Sequence, residues 1–322
     1  MTSTPTATLV SEVESEAVVS AVTTPAEGIV ELTLSAADGG TLPGWTPGAH
    51  IDVILKPDLV RQYSLCGQRH ETSYRIAVLL SPESRGGSQG VHHLTEGDTV
   101  RIRGPRNNFP MLASKSYIFI AGGIGVTPML PMIEAAEAAG ADWHVFYGGR
   151  SEHTMAYLDQ LRQYGDRVTA VAQDQQGVLD VAAILAEPRA NTLIYCCGPE
   201  PLLAAVEEHS RRWPAGALHL ERFSAKDVQR DGADTDFEVV LQRSGKTIQV
   251  RPDQTVFEAM READVSVLGS CLEGVCGTCE VGVLDGEVDH RDSVLDEEEQ
   301  EEMDCMMVCV SRCKGTRLVL DA

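Results

Sequence analysis

The sequence predicts a multidomain chain: an antiparallel β-barrel, an α/β domain on a parallel sheet, and a small α+β domain, in that order. Three observations lead there. Short strand-like runs separated by turn residues fill the chain up to about residue 112, the pattern of a barrel. From Ser116 onward strand-like and helix-like runs alternate, which argues for a parallel sheet with covering helices. After a polar stretch the apolar pattern restarts, and six of the nine cysteines lie beyond residue 270.

The first ten residues, rich in Thr, Ser and Pro, read as a frayed terminus. The first domain is assigned to residues 11–114, with strands at 18–21, 29–34, 51–55, 74–80 and 99–103. Asp38-Gly39-Gly40, Pro47-Gly48 and Glu96-Gly97-Asp98 supply turns between them. The second domain, residues 115–224, has strands at 116–121, 143–147, 168–171, 192–196 and 218–220. Helical patterns run to about Ala139 and cover 155–164 and 201–210, and ligands bind at the strand C-termini in such a sheet. Residues 225–235 are polar and aperiodic, a linker. In the third domain, residues 236–322, runs at 237–242 and 247–250 flank Ser244-Gly245 as a hairpin. A helix at 256–263, a strand at 318–320 and an acidic run at 296–304 complete it.

Composition excludes several classes. A formal charge of −22 argues against nucleic acid or an anionic membrane surface as partner. No run approaches the roughly 18 apolar residues of a membrane span. The N-terminal stretch carries Glu12, Glu14 and Glu16 where a secretory signal would be basic and then apolar. Clustered cysteines, odd in number, suit a metal centre in a reducing cytoplasm better than a disulfide framework.

Cys271, Cys276 and Cys279 are separated by four and two residues, the plant-type ferredoxin spacing, and Cys309 follows after twenty-nine more. Four soft thiolates are what two irons require, and Gly274 and Gly277 give the loop the torsions to gather three of them. Zinc also accepts four cysteines, but its sites usually pair two C-x2-C knuckles and this chain has one. Cys305 and Cys313 compete with Cys309 on spacing. The apolar setting Met306-Met307-Val308-Cys309-Val310 favours Cys309.

Arg61-Gln62-Tyr63-Ser64 ends a strand and sets Arg61 and Tyr63 on one side, a cation and a stacking ring suited to a flavin. Arg85-Gly86-Gly87-Ser88 precedes a helix-like stretch, where glycine amides and an arginine suit a phosphate. The strand from Ser116 runs into Gly122-Gly123-Ile124-Gly125-Val126-Thr127-Pro128, a dinucleotide-type loop that gains weight from Cys196-Cys197-Gly198-Pro199 after a later strand. After the next two strands stand Arg150, Glu152 and Asp174. The carboxylates oppose a 2′-phosphate and favour NADH.

On these segments, together with Pro47-Gly48-Ala49-His50-Ile51, Asp289-His290-Arg291-Asp292 and Val308-Cys309-Val310-Ser311-Arg312, the chain from about residue 17 onward resembles the phthalate dioxygenase reductase family, which includes vanillate O-demethylase reductases. The resemblance implies an FMN-binding barrel, an NAD-binding domain and a β-grasp 2Fe-2S ferredoxin domain. It implies FMN held by Arg61, Tyr63 and Ser64 around the ring and by Gly87, Ser88 and Arg85 at the phosphate, with Phe223 packed on the flavin. It sets Thr127 beside the flavin and Cys197 near the nicotinamide, with Gly123, Gly125, Gly198 and Pro199 at the nucleotide. His50 is read as structural, and His92 and His93 as surface residues of a helix.

The activity implied is NADH-dependent electron transfer through FMN and a 2Fe-2S cluster to the terminal component of a Rieske non-haem iron oxygenase, an aromatic dioxygenase or O-demethylase system. A haem monooxygenase as acceptor and a redox sensor without turnover are the competing readings. Residues 236–322 hold twenty acidic against eight basic side chains, so the negative charge gathers where electrons would leave.

Overall fold

The computed structural model describes residues 13–322 except 57–58, 69, 83, 226–232 and 296, and describes Glu297 and Glu298 by backbone alone. The expected frayed terminus and most of the expected linker lie outside the described residues.

Six strands form the first sheet: β1 (Glu14–Ala26), β2 (Ile29–Ala36), β3 (His50–Lys56), β4 (Leu59–Ser64), β5 (Tyr74–Leu79) and β6 (Thr99–Arg106). They pair antiparallel in the order β4-β3-β6-β1-β2-β5, and edge strands β4 and β5 meet to curl the sheet into a barrel. Alternation fills it: Leu32 and Leu34 of β2, Ile51 and Val53 of β3, and Ile76 and Val78 of β5 share one core. In β3 the opposite face is buried as well, with His50 at 1% and Asp52 at 0% exposure, so something covers the barrel's outside there.

The second sheet is parallel, β11-β10-β7-β8-β9, from β7 (Ser116–Gly122), β8 (Asp142–Gly149), β9 (Val168–Ala172), β10 (Thr192–Cys197) and β11 (Leu218–Glu221). Successive residues of β7 feed two cores. Tyr117, Phe119 and Ala121 join one and Ile118 and Ile120 the other, so both faces need covering helices. The first core also takes in Cys66, Ala77 and Phe109, which welds the sheet to the barrel.

The glycine loop forms a 3-10 turn at Gly123–Val126, and the expected α-helix follows it over Met129–Ala138. One helical expectation changes. The stretch 155–164 is helical only over Leu158–Arg162, because Tyr157 adopts a left-handed φ of 60°. Its hydroxyl donates to Glu31 Oε2 of β2 at 2.6 Å and lies 3.5 Å from Cys66 Sγ. Binding across to the barrel outweighs the local helix preference.

The third sheet runs β13-β12-β18-β14-β16, from β12 (Phe237–Leu241), β13 (Lys246–Val250), β14 (Glu280–Asp285), β16 (Cys305–Met307) and β18 (Arg317–Leu320). β15 (Val288–Asp289) and β17 (Arg312–Cys313) pair separately. First and last strands, β12 and β18, pair in parallel. The helix Val256–Glu262 starts in a capping box of Thr255 and Glu258, and buries Val256, Phe257, Ala259 and Met260 on the sheet. Among the described residues no helix is long and apolar enough to cross a membrane.

Candidate redox site

Strand β4 is a barrel edge, and its alternate residues serve two surroundings. Arg61 lies opposite Val53, and Tyr63 opposite Ile51. Tyr63 packs against the barrel core, where burial pushes its phenol up to about 12. The stem of Arg61 lies so close to Gly87 that a Cβ there would sit 2.5 Å from Arg61 Cγ. Gly87 opens the six-residue helix Gly87–His92 behind Gly86, which has a left-handed φ of 91°. Ser88 Oγ accepts from the amide of Ser81 at 3.1 Å. Arg61, Gly87 and Ser88 therefore form one neighbourhood. Arg85 instead forms an ion pair with Glu273 of the cysteine loop. Within the helix, His92 is tied to the Val78 carbonyl at 2.8 Å, a tighter placement than a plain surface residue.

Ser64 faces the other way and donates to Glu221 Oε2 at 3.4 Å, across 157 residues of sequence. Glu221 ends β11 directly beside Cys197 in the parallel register, and Cys197 pairs on its other side with Ala121. Burial pushes the Glu221 carboxyl up to about 8, opposed by the Ser64 hydroxyl. Burial also raises Cys197 well above the ordinary thiol range, with the Glu221 charge adding to it. Cys197 is thus a thiol at neutral pH and no nucleophile. Phe223, two residues beyond Glu221, is 45% exposed rather than a core residue. Arg222 anchors the segment between them through Glu200 and Glu207 at 3.3 and 2.9 Å.

The glycine loop presses on the Cys197 turn. A Cβ on Gly125 would lie 2.3 Å from the Cys197 carbonyl oxygen, and one on Gly122 2.7 Å from Pro199 Cδ. Gly125 is thus required for backbone approach, and Gly123 for its positive φ of 54°. Thr127 is buried beside this loop, its hydroxyl donating to the Ile124 carbonyl at 3.0 Å. Arg150 and Asp174, both exposed, meet past the ends of β8 and β9, where the Asp174 amide donates to the Arg150 carbonyl at 3.1 Å.

The four predicted cysteines come together in two pairs. Cys271 and Cys276 act on each other, raising the first thiol and lowering the second to about 6. Cys279 and Cys309 do likewise, Cys279 raised and Cys309 lowered. Cys276, Cys279 and Cys309 are buried, at 2%, 2% and 3% exposure. Amides aim at the sulfurs: Glu273 N donates to Cys271 Sγ at 3.3 Å, and the Gly274 amide reaches Cys309. Cys313 Sγ instead bonds the Arg317 carbonyl at 3.5 Å, and Cys305 lies on β16 beside Glu280 and Asp304, whose charges with burial push it up to about 12. Buried thiols in two pairs within a cage of amide donors fit a cluster of two irons better than a single tetrahedral ion.

Sequence reasoning did not reach the contacts that seat this loop on the barrel. Ser270 donates to Asp52 Oδ1 at 2.6 Å, and Asn108 Nδ2 to the Cys276 carbonyl at 2.8 Å. No motif marks them, although a buried Asp in a strand of alternating apolar residues is a signal in hindsight. Glu221 had one available signal: it closes a strand of a parallel sheet, where binding groups gather.

Residues 239–314 match the 2Fe-2S iron-sulfur cluster binding domain family, and residues 119–208 the oxidoreductase NAD-binding domain family. The chain is 42% identical over 310 residues to a putative toluene-4-sulfonate monooxygenase system reductase subunit of Comamonas testosteroni, covering 94% of this chain and 97% of that protein. Among solved structures, phthalate dioxygenase reductase superposes with a TM-score of 0.71 at 33% identity, covering 97% of this chain and 98% of that one. An intact type IV self-sufficient cytochrome P450 monooxygenase superposes with a TM-score of 0.89 at 44% identity over 96% of this chain. This chain spans only 41% of the length of that P450.

Proposed function

Because the chain belongs to the phthalate dioxygenase reductase family, we propose that it carries electrons from NADH through FMN and a 2Fe-2S cluster to the terminal component of a Rieske non-haem iron oxygenase acting on an aromatic or similar small acid. The observation that carries this reading is spatial. The cysteine loop lies against the same barrel that presents Arg61, Tyr63 and Ser64, joined to it at Ser270, Glu273 and Cys276.

FMN, when bound, supplies the exchange between two-electron and one-electron transfer that NADH and a cluster require. Gly87 and Ser88 would hold its phosphate; Arg61, expected at the ring, lies against Gly87 and would join them there, with Arg85 shared between phosphate and Glu273. Tyr63, Ser64, Thr127 and Phe223 would surround the ring. Cys197, Gly198, Pro199, Gly123 and Gly125 would receive the nicotinamide end of NADH, with Arg150 and Asp174 at the adenosine end. Cys271 and Cys276 would serve one iron, Cys279 and Cys309 the other. All nine cysteines are unpaired, which supports a reducing cytoplasm.

The likeness to part of a self-sufficient cytochrome P450 monooxygenase favours a haem acceptor as the second reading. The near-complete coverage of separate reductase subunits favours the first. The test mixes the holoprotein with NADH and either acceptor, following flavin bleaching and acceptor reduction. Transfer to a Rieske oxygenase should slow markedly above about 0.1 M salt, where screening shortens to about 10 Å, because an acidic donor surface steers a basic acceptor. Flavin bleaching should be indifferent to salt. Transfer to a haem monooxygenase alone would establish the second reading, and no NADH-dependent bleaching would leave the redox sensor.

A further inference from the structure

Outside the residues assigned above, the molecule contains a buried charge cluster on the outer face of β3. Asp52 is fully buried, and three side chains donate to its carboxylate. Arg103 Nε and Nη2 reach Oδ2 at 3.0 and 2.8 Å, and Arg106 Nη1 and Nη2 reach Oδ2 and Oδ1 at 3.2 and 2.7 Å. The third is Ser270, one residue before Cys271, at 2.6 Å. Arg103 Nη2 also donates to the Gly269 carbonyl at 3.3 Å.

Barrel stability does not account for this cluster. Burying one carboxylate with two guanidinium groups costs several kcal/mol of desolvation per ion, which mutual attraction seldom recovers relative to apolar side chains. β3 and β6 already pair through their backbones, with Asp52 opposite Arg103 in the register. What the charges add is reach: Asp52 and Arg103 extend beyond the sheet to Ser270 and Gly269 of another domain. Farther along the loop, Asn108, just past β6, holds the Cys276 carbonyl, and a Cβ on Gly277 would sit 2.7 Å from its Nδ2. Between the two, Arg85 grips Glu273. Contacts fall at residues 270, 273 and 276, three residues apart, and they bracket the first two cysteines.

We infer that Asp52 and Asn108 form a two-ended clamp that fixes the cysteine loop at a set distance from the flavin face, making Asp52, Ser270 and Asn108 positioning residues for the intramolecular electron step. Arg103 and Arg106 hold the Asp52 carboxylate in the orientation that meets Ser270. The inference rests on the electron-transfer reading above, and adds which side chains set its geometry.

Three measurements on the holoprotein separate the clamp from that reading: the cluster's electron paramagnetic resonance signal, flavin bleaching by NADH, and the flavin-to-cluster step in stopped flow. In Ser270→Ala and in Asn108→Ala the cluster signal and flavin bleaching should match wild type. The flavin-to-cluster step should slow severalfold, because electron transfer falls off steeply with the separation that the clamp sets. Ser270→Thr, which keeps the hydroxyl, should recover most of the rate. A role confined to folding would alter cluster content and would not give selective loss with rescue. Should Ser270→Ala lose its cluster, Asn108→Ala, distant in sequence from every cysteine, carries the test. An unchanged flavin-to-cluster rate in Asn108→Ala, or in a Ser270→Ala protein with its cluster intact, overturns the clamp. A wild-type cluster that NADH never reduces refutes the electron-transfer reading itself.

Discussion

Replacing Gly125 with alanine tests whether the glycine loop is there to let two backbones touch. The added methyl would lie 2.3 Å from the Cys197 carbonyl oxygen, 2.5 Å from its carbon and 2.8 Å from the Gly198 nitrogen. All three are backbone atoms, so no side chain can swing aside. Ordinary contact begins near 3.4 Å, and the two turns must therefore part by about 1 Å. Overpacking of this kind costs about 1–3 kcal/mol, which lowers the melting temperature by several degrees. The functional effect should be larger, because the shift falls on Cys197 and Gly198. A misplacement of about 1 Å in a positioning element can cost about a hundredfold in rate. Stopped-flow reduction of the flavin by NADH should be slowed within that limit while the cluster signal remains intact. Gly140→Ala is the stability control: its φ of 64° strains any L-residue, yet nothing lies within 4 Å of the added methyl. If Gly125→Ala bleaches its flavin at the wild-type rate and melts with wild type, the close approach has no functional weight and the reasoning fails.

Cys309→Ser should abolish the visible 2Fe-2S spectrum and leave flavin reduction intact, whereas Cys305→Ser and Cys313→Ser should keep it; loss in Cys313→Ser with survival in Cys309→Ser reverses the assignment. NADH should be preferred over NADPH because Asp174 and Glu152 stand near Arg150 in sequence or space, and equal specificity constants would refute this. Glu221, held near 8 when folded and about 4.3 when unfolded, contributes stability that is complete below the lower value and is lost as pH rises toward the upper. Glu221→Gln should flatten that slope, which is at most about 1.4 kcal/mol per pH unit and smaller for partial exposure. Parallel melting curves of the two proteins from about pH 5 to 8 would show that the carboxyl does not titrate this way.

What the sequence revealed was local. The spacing of Cys271, Cys276 and Cys279 is a property of one loop, and the alternation in β2, β3 and β5 needs only a buried face to be visible. The short strands β15 to β17 escaped because stretches of two or three residues, such as Arg312–Cys313, are too brief to show a period. Tyr157 broke an expected helix because its partner, Glu31, lies 126 residues away. The Ser64–Glu221 and Asp52–Ser270 bonds span 157 and 218 residues, and no window along the chain contains both ends. Site chemistry is legible where one segment holds it, and hidden where the fold composes it from several.

The pairing of β12 with β18 sets the first and last strands of the third domain side by side in one sheet. A unit closed in this way can be moved between chains as a cassette, and recombination in the preceding linker offers a route for one reductase to acquire a new electron acceptor. The contacts at residues 270, 273 and 276 limit that freedom. A transplanted cassette would need a hydroxyl for Asp52, a carboxylate for Arg85 and a glycine after its second cysteine to admit Asn108. Chimeras that respect these three positions should transfer electrons from the outset, and those that do not would carry an intact cluster poorly connected to the flavin.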